Sequence, residues 1–191
     1  SDVFTQKLDS GGDFLWAFSI GGNLDDYGNQ LLIDPSFDLY LTGDFQGNVD
    51  FDPGPGSTNL TSNGNTDVFV QKITSKGAFE WVRAVGGLSS DDGFAITTNS
   101  LDDIYFTGYF TDTVDFNPDA GVSKKVSNSK SEDVFVVKLS QCNAPKPDKP
   151  KLLNLTAACS VSKPKAPTAT SNCAGKVTGV PDVSFTVTTQ G

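Results

Sequence analysis

The triplet Asp-Val-Phe occurs at Asp2–Phe4, Asp67–Phe69 and Asp133–Phe135, and the text between the copies repeats with it. The spacings, 67 − 2 = 65 and 133 − 67 = 66, place almost everything before Cys142 on one register. Trp16 then falls on Trp81, Gly21-Gly22 on Gly86-Gly87, and Tyr40-Leu41-Thr42-Gly43 on Tyr105-Phe106-Thr107-Gly108. Val49-Asp50-Phe51-Asp52-Pro53 falls on Val114-Asp115-Phe116-Asn117-Pro118. A period of this length belongs to stacked supersecondary units, because one unit cannot bury both of its faces alone.

Each period holds four short runs of β-forming residues separated by Gly, Asp, Asn, Pro and Ser, with no helical spacing of apolar residues. In the most complete copy the strands are expected at about Gln30–Ile33, Asp38–Phe45 (with an extension towards Phe51), Asp67–Ile73 and Phe79–Val85. Along the third run Phe69 and Ile73 share one face with Gln71, and Val68 and Val70 share the other with Lys72. A strand with apolar groups on both faces suits a sheet covered on both sides; a sheet with one wet face alternates cleanly. Four-stranded sheets repeated radially and covered on both faces are β-propeller blades. The expected fold class is therefore all-β, a partial propeller of four-stranded blades.

Ser1–Gly22 supplies strands three and four of one unit, Asp26–Gly87 a whole unit, and Asp91–Leu139 strands one to three of another. No Trp-bearing fourth strand follows Leu139, so the propeller is expected to end there. The chain enters the repeat in mid-phase and lacks Met, which is the pattern of an internal piece of a longer polypeptide.

Asp-Val-Phe-Val-Gln-Lys-Ile (Asp67–Ile73), Trp-x-x-x-x-Gly-Gly, Tyr-Leu-Thr-Gly-Asp-Phe (Tyr40–Phe45) and Val-Asp-Phe-Asp-Pro-Gly (Val49–Gly54) occur in fixed order over residues 1–141. This run resembles the SBBP-type β-propeller repeats of large secreted and surface proteins, particularly of the Bacteroidetes group. It departs in the last unit, where Thr97-Thr98-Asn99-Ser100 stands in place of an apolar strand ending in Asp. Residues 142–151 carry three prolines in Asn143–Pro150 and read as a semi-rigid linker. Beyond it, residues 152–191, with Ala166-Pro167-Thr168-Ala169-Thr170-Ser171-Asn172-Cys173-Ala174-Gly175, resemble the first part of an HYR-type immunoglobulin-like sandwich. That resemblance implies a Cys159–Cys173 disulfide. Cys142 is left over, either pairing outside the segment or remaining an unreactive thiol.

The acidic residues form the one plausible ligand set: Asp50 and Asp52, Asp115 and Asn117, with Asp25-Asp26 and Asp91-Asp92. Calcium takes six to eight oxygens, and an Asp-x-Asp turn supplies two or three. The competing reading, in which these side chains bond local amides before Pro and Gly, is favoured because neither copy carries Asp-x-Asp-x-Asp-Gly with a later Glu. No other cofactor is expected. The sequence has no His, which excludes Ser-His-Asp and Cys-His machinery, and no phosphate-binding Gly-rich motif. A carboxylate pair for glycoside hydrolysis is compatible with composition. Yet every notable Asp recurs with the repeat, as scaffold residues do. Trp16 and Trp81 recur too, and are expected in the core rather than in a sugar-stacking site.

The net charge of −9, with no aromatic-interleaved basic cluster, argues against nucleic acid and anionic membranes as partners. No apolar run approaches the roughly 20 residues that span a bilayer. Asn59-Leu60-Thr61 and Asn154-Leu155-Thr156 are sequons of use only in a eukaryotic secretory pathway. Asp112-Thr113-Val114 resembles a Bacteroidetes O-glycosylation site, with Thr113 exposed. Together these features give an expectation of a non-enzymatic structural or adhesive segment at the bacterial cell surface, possible partners being neighbouring domains, surface glycans or secretion-machinery proteins. The SBBP resemblance implies export by the type IX system and a role in a gliding or adhesion filament. The alternative is a ligand- or glycan-binding propeller module of a secreted enzyme.

Overall fold

A computed structural model describes residues 1–100, 102–118 and 121–140, together with the backbone of short strands at 146–147, 168–171 and 175–178. It separates into two compact units, Ser1–Leu139 and Ser140–Gly191. The described residues are all-β, arranged in several antiparallel sheets. No closed ring of sheets forms among them, and no helix there is long and apolar enough to cross a membrane.

In the first compact unit, β1 (Val3–Leu8) pairs with β2 (Phe14–Ile20). The complete repeat follows as a meander of β3 (Tyr27–Ile33), β4 (Leu39–Asp50), β5 (Asn59–Ile73) and β6 (Phe79–Gly87), each antiparallel to its sequence neighbour. The third repeat gives β7 (Asp92–Thr98), β8 (Ile104–Thr111) and β11 (Glu132–Leu139), with β9 (Thr113–Asp115) and β10 (Lys124–Val126) as a short hairpin between β8 and β11. That hairpin is the counterpart of the outer halves of β4 and β5. It pairs Asp115 with Gly86 and Val114 with Gly87, as Asp50 bridges Gly21 one period earlier.

The strand positions agree with the sequence reading, the extension of β4 included, except that β3 begins at Tyr27, that β5 begins already at Asn59, so that β4 and β5 form one long hairpin, and that β6 runs on to Gly87. The hairpin's register shifts between Gln46 and Asn48, where Gly47 has φ 75°. The extra residue that lengthens the second period to 66 has a local cause. Asp67 Oδ2 accepts the Asn63 amide four residues back, whereas Asp133 Oδ2 accepts that of Asn128 five back, across a 3-10 turn at Asn128–Lys130.

Apolar side chains pack between successive repeats. One cluster joins Val3 and Ile20 to Leu41, Phe45, Val49 and Phe69. The next joins their counterparts, Val68 and Val85 with Phe106, Phe110, Val114 and Phe135. Residues 65 or 66 apart thus do the same packing job, and Val68 and Phe69 on adjacent positions of β5 serve opposite clusters. Edge-to-face contacts reinforce both clusters, with ring centroids 5.2 Å apart for Phe45–Phe51 and 5.0 Å for Phe110–Phe116.

Close strand approach fixes Gly43 and Gly108: a Cβ on either would lie 1.8 Å from the carbonyl oxygen of Tyr27 or Asp92. At the turn after β7, Asn99 replaces the Asp34 of the preceding repeat and keeps its function. Its Oδ1 accepts the Asp103 amide at 3.0 Å, as Asp34 Oδ1 accepts that of Asp38 at 2.9 Å.

The two tryptophans are register-equivalent, Trp16 opposite Lys7 and Trp81 opposite Lys72, and both are partly buried, Trp81 packing against the core cluster that joins the second and third repeats. Trp16 stacks on Phe18, and Trp81 lies against Tyr40 under the Arg83 guanidinium.

In Ser140–Gly191, β12 (Lys146–Pro147), β13 (Thr168–Ser171) and β14 (Gly175–Thr178) form an antiparallel sheet in that order. Lys146 and Pro147 pair with Thr170 and Ala169 of β13. Cys142, Cys159, Cys173 and the Asn154 sequon lie outside the described residues.

Candidate functional site

The Asp-x-Asp and Asp-x-Asn turns use their side chains on their own backbone. Asp50 Oδ1 accepts the amides of Thr58 at 2.8 Å and Asp52 at 3.1 Å; Asp115 Oδ1 accepts those of Ser123 at 2.7 Å and Asn117 at 3.1 Å. These amide bonds, to Thr58 and Ser123 first, hold both carboxyls below the ordinary carboxylate range. Asp52 accepts the Gly54 amide at 2.8 Å. Among the described residues no group of three or more acidic, His or Cys side chains is placed to hold a metal ion. Thr113 is exposed on β9, and its hydroxyl lies 3.3 Å from Asp112 Oδ1.

Asp26 and Asp91 tie consecutive repeats together. Asp26 accepts the amides of Gly22 at 2.8 Å and Gln46 at 3.1 Å; Asp91 accepts those of Gly87 at 2.7 Å and Thr111 at 3.0 Å. Burial raises both carboxyls. Asp67, the Asp of the repeated triplet, is pushed up to about 6 by burial. Its Oδ2 takes the Asn63 amide and side chain, both at 3.0 Å, while its buried Oδ1 has no partner among the described residues. The recurring carboxylates are thus bound to the scaffold.

The residues that break the repeat come together. Position 27 of the register holds Tyr and position 44 Asp, whereas the counterparts are Asp92 and Tyr109, the same two residue types in reversed order. Both form cross-strand pairs, Tyr27 with Asp44 and Asp92 with Tyr109. Between each pair the first strand carries a register shift, at Asn29 in β3 and at Phe94 in β7, which re-aims the extra side chain.

Asn29 joins the two repeats: its Nδ2 donates to Asp44 Oδ1 at 2.9 Å and to the Gly93 carbonyl at 2.8 Å. Asp92 accepts Thr66 Oγ1 at 3.0 Å and stands across the strand from Tyr109. Phe94 lies edge-on to Tyr109 at 4.9 Å. Asp44 is only 6% exposed, yet its Oδ2 has no hydrogen bond from the described residues and is not occluded from solvent. Burial, then the Asp92 charge, pushes the Asp44 carboxyl up to about 6; the Asp92 hydrogen bond pushes the Tyr109 phenol up to about 12. No Lys or Arg forms an ion pair with Asp44 or Asp92 among the described residues.

These two strand pairs carry two carboxylates, an amide and aromatic rings, and Tyr27 and Phe94 are 48% and 46% exposed. Sequence reasoning reached Asp91-Asp92 as acids but missed Tyr27, Asn29, Asp44, Phe94 and Tyr109. The signal for them was the break in an otherwise constant repeat.

No family model matches the chain. It is 27% identical over 165 residues, 74% of its length, to an uncharacterized WD repeat-containing protein of Acanthamoeba polyphaga mimivirus. It is 30% identical over 108 residues, 56% of its length, to the regulatory protein FlaEY of Caulobacter vibrioides. The chain spans 12% and 11% of those two proteins. The first likeness agrees with repetitive β-structure.

Proposed function

We propose that the repeats are blades of a β-propeller belonging to a larger secreted surface protein, and that the segment is a non-enzymatic adhesive scaffold. The carrying observation is where the carboxylates are spent. Asp26, Asp50, Asp91 and Asp115 each accept two backbone amides, which is structural employment repeated from blade to blade. The SBBP and HYR resemblances add a Bacteroidetes-type cell surface, type IX export, surface or secretion-machinery partners, and the Cys159–Cys173 disulfide to this reading.

A glycan-binding propeller of a secreted enzyme is the second reading. The exposed Phe94 ring beside Tyr109 and Asp92 favours it, since sugars are commonly held by aromatic faces and carboxylates. One experiment separates the two: the purified chain is displayed on beads, scored for adhesion to protein- and glycan-coated surfaces, and assayed for release of sugar from the same glycans. Adhesion without release is expected. Sugar release that is lost in Asp92→Asn would overturn the non-enzymatic reading.

A further inference from the structure

We infer that the first and third repeats carry the two halves of a self-association surface: the outward face of the third repeat in one copy receives the outward face of the first repeat in a second copy. The inference goes beyond the scaffold reading and does not depend on it, since it rests only on how the repeats pack on one another.

The register says what covers each face. Towards the third repeat the second presents Tyr40, Val68 and Val70, all buried in one cluster with Ile96, Phe106 and Phe135. The third repeat carries the same face again as Tyr105, Val134 and Val136. There Val134 and Val136 are 79% and 70% exposed, whereas Val68 and Val70 are each 1% exposed. At the other end the second repeat presents Phe69, Phe79 and Val82 to Val3 and Ile20 of the first. The counterparts on the first repeat are Phe4, Phe14 and Ala17, and Phe4 is 67% exposed where Phe69 is 1% exposed. Leu8, the cross-strand partner of Phe14, lies on the same face as Phe4 and is exposed where its counterpart Ile73 is buried.

The chain therefore exposes both members of a contact that it makes internally. By the register, Phe4 of the second copy takes over Val134 and Val136 the place that Phe135 takes over Val68 and Val70, and Leu8 takes that of Leu139. Adjoining exposed apolar side chains mark an interaction surface, and a second copy is the occupant because the matching face is one that this same chain displays. The contact joins unlike surfaces, so copies add head to tail until a ring closes. The first repeat brings only two strands to the junction, and each copy carries a net charge of −9. Association is accordingly expected in the micromolar range and should strengthen with salt.

The test is sedimentation of the full chain across the micromolar range, where the average mass is expected to rise with concentration above that of one chain. Phe4→Lys spoils the first-repeat face and Val136→Lys the third-repeat face. Both side chains are exposed in the single copy, so circular dichroism should match the parent, while each change should weaken association about tenfold. An equimolar mixture of the two variants should associate again as pairs, because the intact third-repeat face of one meets the intact first-repeat face of the other. Both changes add positive charge, so attraction between the variants contributes nothing. Leu88→Lys, at an exposed apolar residue in the β6–β7 connection, should leave association unchanged. A mixture that associates no better than its components, or equal weakening by Leu88→Lys, would overturn the inference. A parent chain that stays monomeric throughout yet adheres in the bead assay would overturn it too, and would leave the scaffold reading standing.

Discussion

Asp44→Asn should stabilise the protein near neutral pH and do nothing for it at about pH 3. Asp44 is 6% exposed and its carboxyl is pushed up from 3.8 to about 6, by burial first and the Asp92 charge second. A raised carboxyl binds its proton more tightly in the folded state than in the unfolded one. Its ionisation therefore costs stability as pH rises from about 4 to about 6, and the full cost is present above that window. At about 1.4 kcal/mol per tenfold change in acidity, the raise corresponds to about 3 kcal/mol. Solvent contact at Oδ2 reduces this to about 1–2 kcal/mol. Asparagine removes the charge and still presents an oxygen to Asn29 Nδ2. Thermal unfolding at pH 7.5 should give a Tm raised by about 3–6 °C, and at about pH 3, below the unfolded carboxyl's own range, a Tm unchanged from the parent. A destabilised variant at pH 7.5, or the same increment at both pH values, would refute the argument that Asp44 is a charge held against a desolvation cost.

Three further outcomes follow from the scaffold. Gly108→Ala places a Cβ 1.8 Å from the Asp92 carbonyl oxygen and should destabilise by about 3 kcal/mol in chemical denaturation, because backbone and not a flexible side chain stands in the way. Asp50→Ala removes the acceptor of the Thr58 and Asp52 amides and should lower Tm at pH 7; because the Asp50 carboxyl is held below its ordinary 3.8, the difference should shrink only as pH falls below that value. Millimolar calcium should leave Tm unmoved in the parent and in Asp52→Ala, since the turn carboxylates bond local amides; a chelator-reversible rise of several degrees that vanishes in the variant would reinstate the metal reading.

The amino-acid sequence by itself determined what depends on neighbours along the chain. The register of 65 and 66 residues, the strand and turn order, and the Asp-x-Asp turns are legible because the hydrogen bonds concerned run over short spans, such as Asp50 to the Asp52 amide. The two-faced apolar pattern of Val68, Phe69 and Val70 likewise announces a sheet covered on both sides before any partner is known.

Tertiary structure decided what depends on meetings across repeats. How far Trp16 and Trp81 are covered depends on side chains of other strands, such as Tyr40 against Trp81, which residue type does not reveal. Asp26 reaches the Gln46 amide 20 residues away and Asp91 that of Thr111, so their binding of one repeat to the next is invisible in the local pattern. The bond between Asn29 and Gly93 is the extreme case: they lie 64 residues apart and are joined only because β3 packs beside β7. A repeat fixes positions that must stay alike for the units to stack; the positions free to differ acquire their meaning only when stacking brings them together.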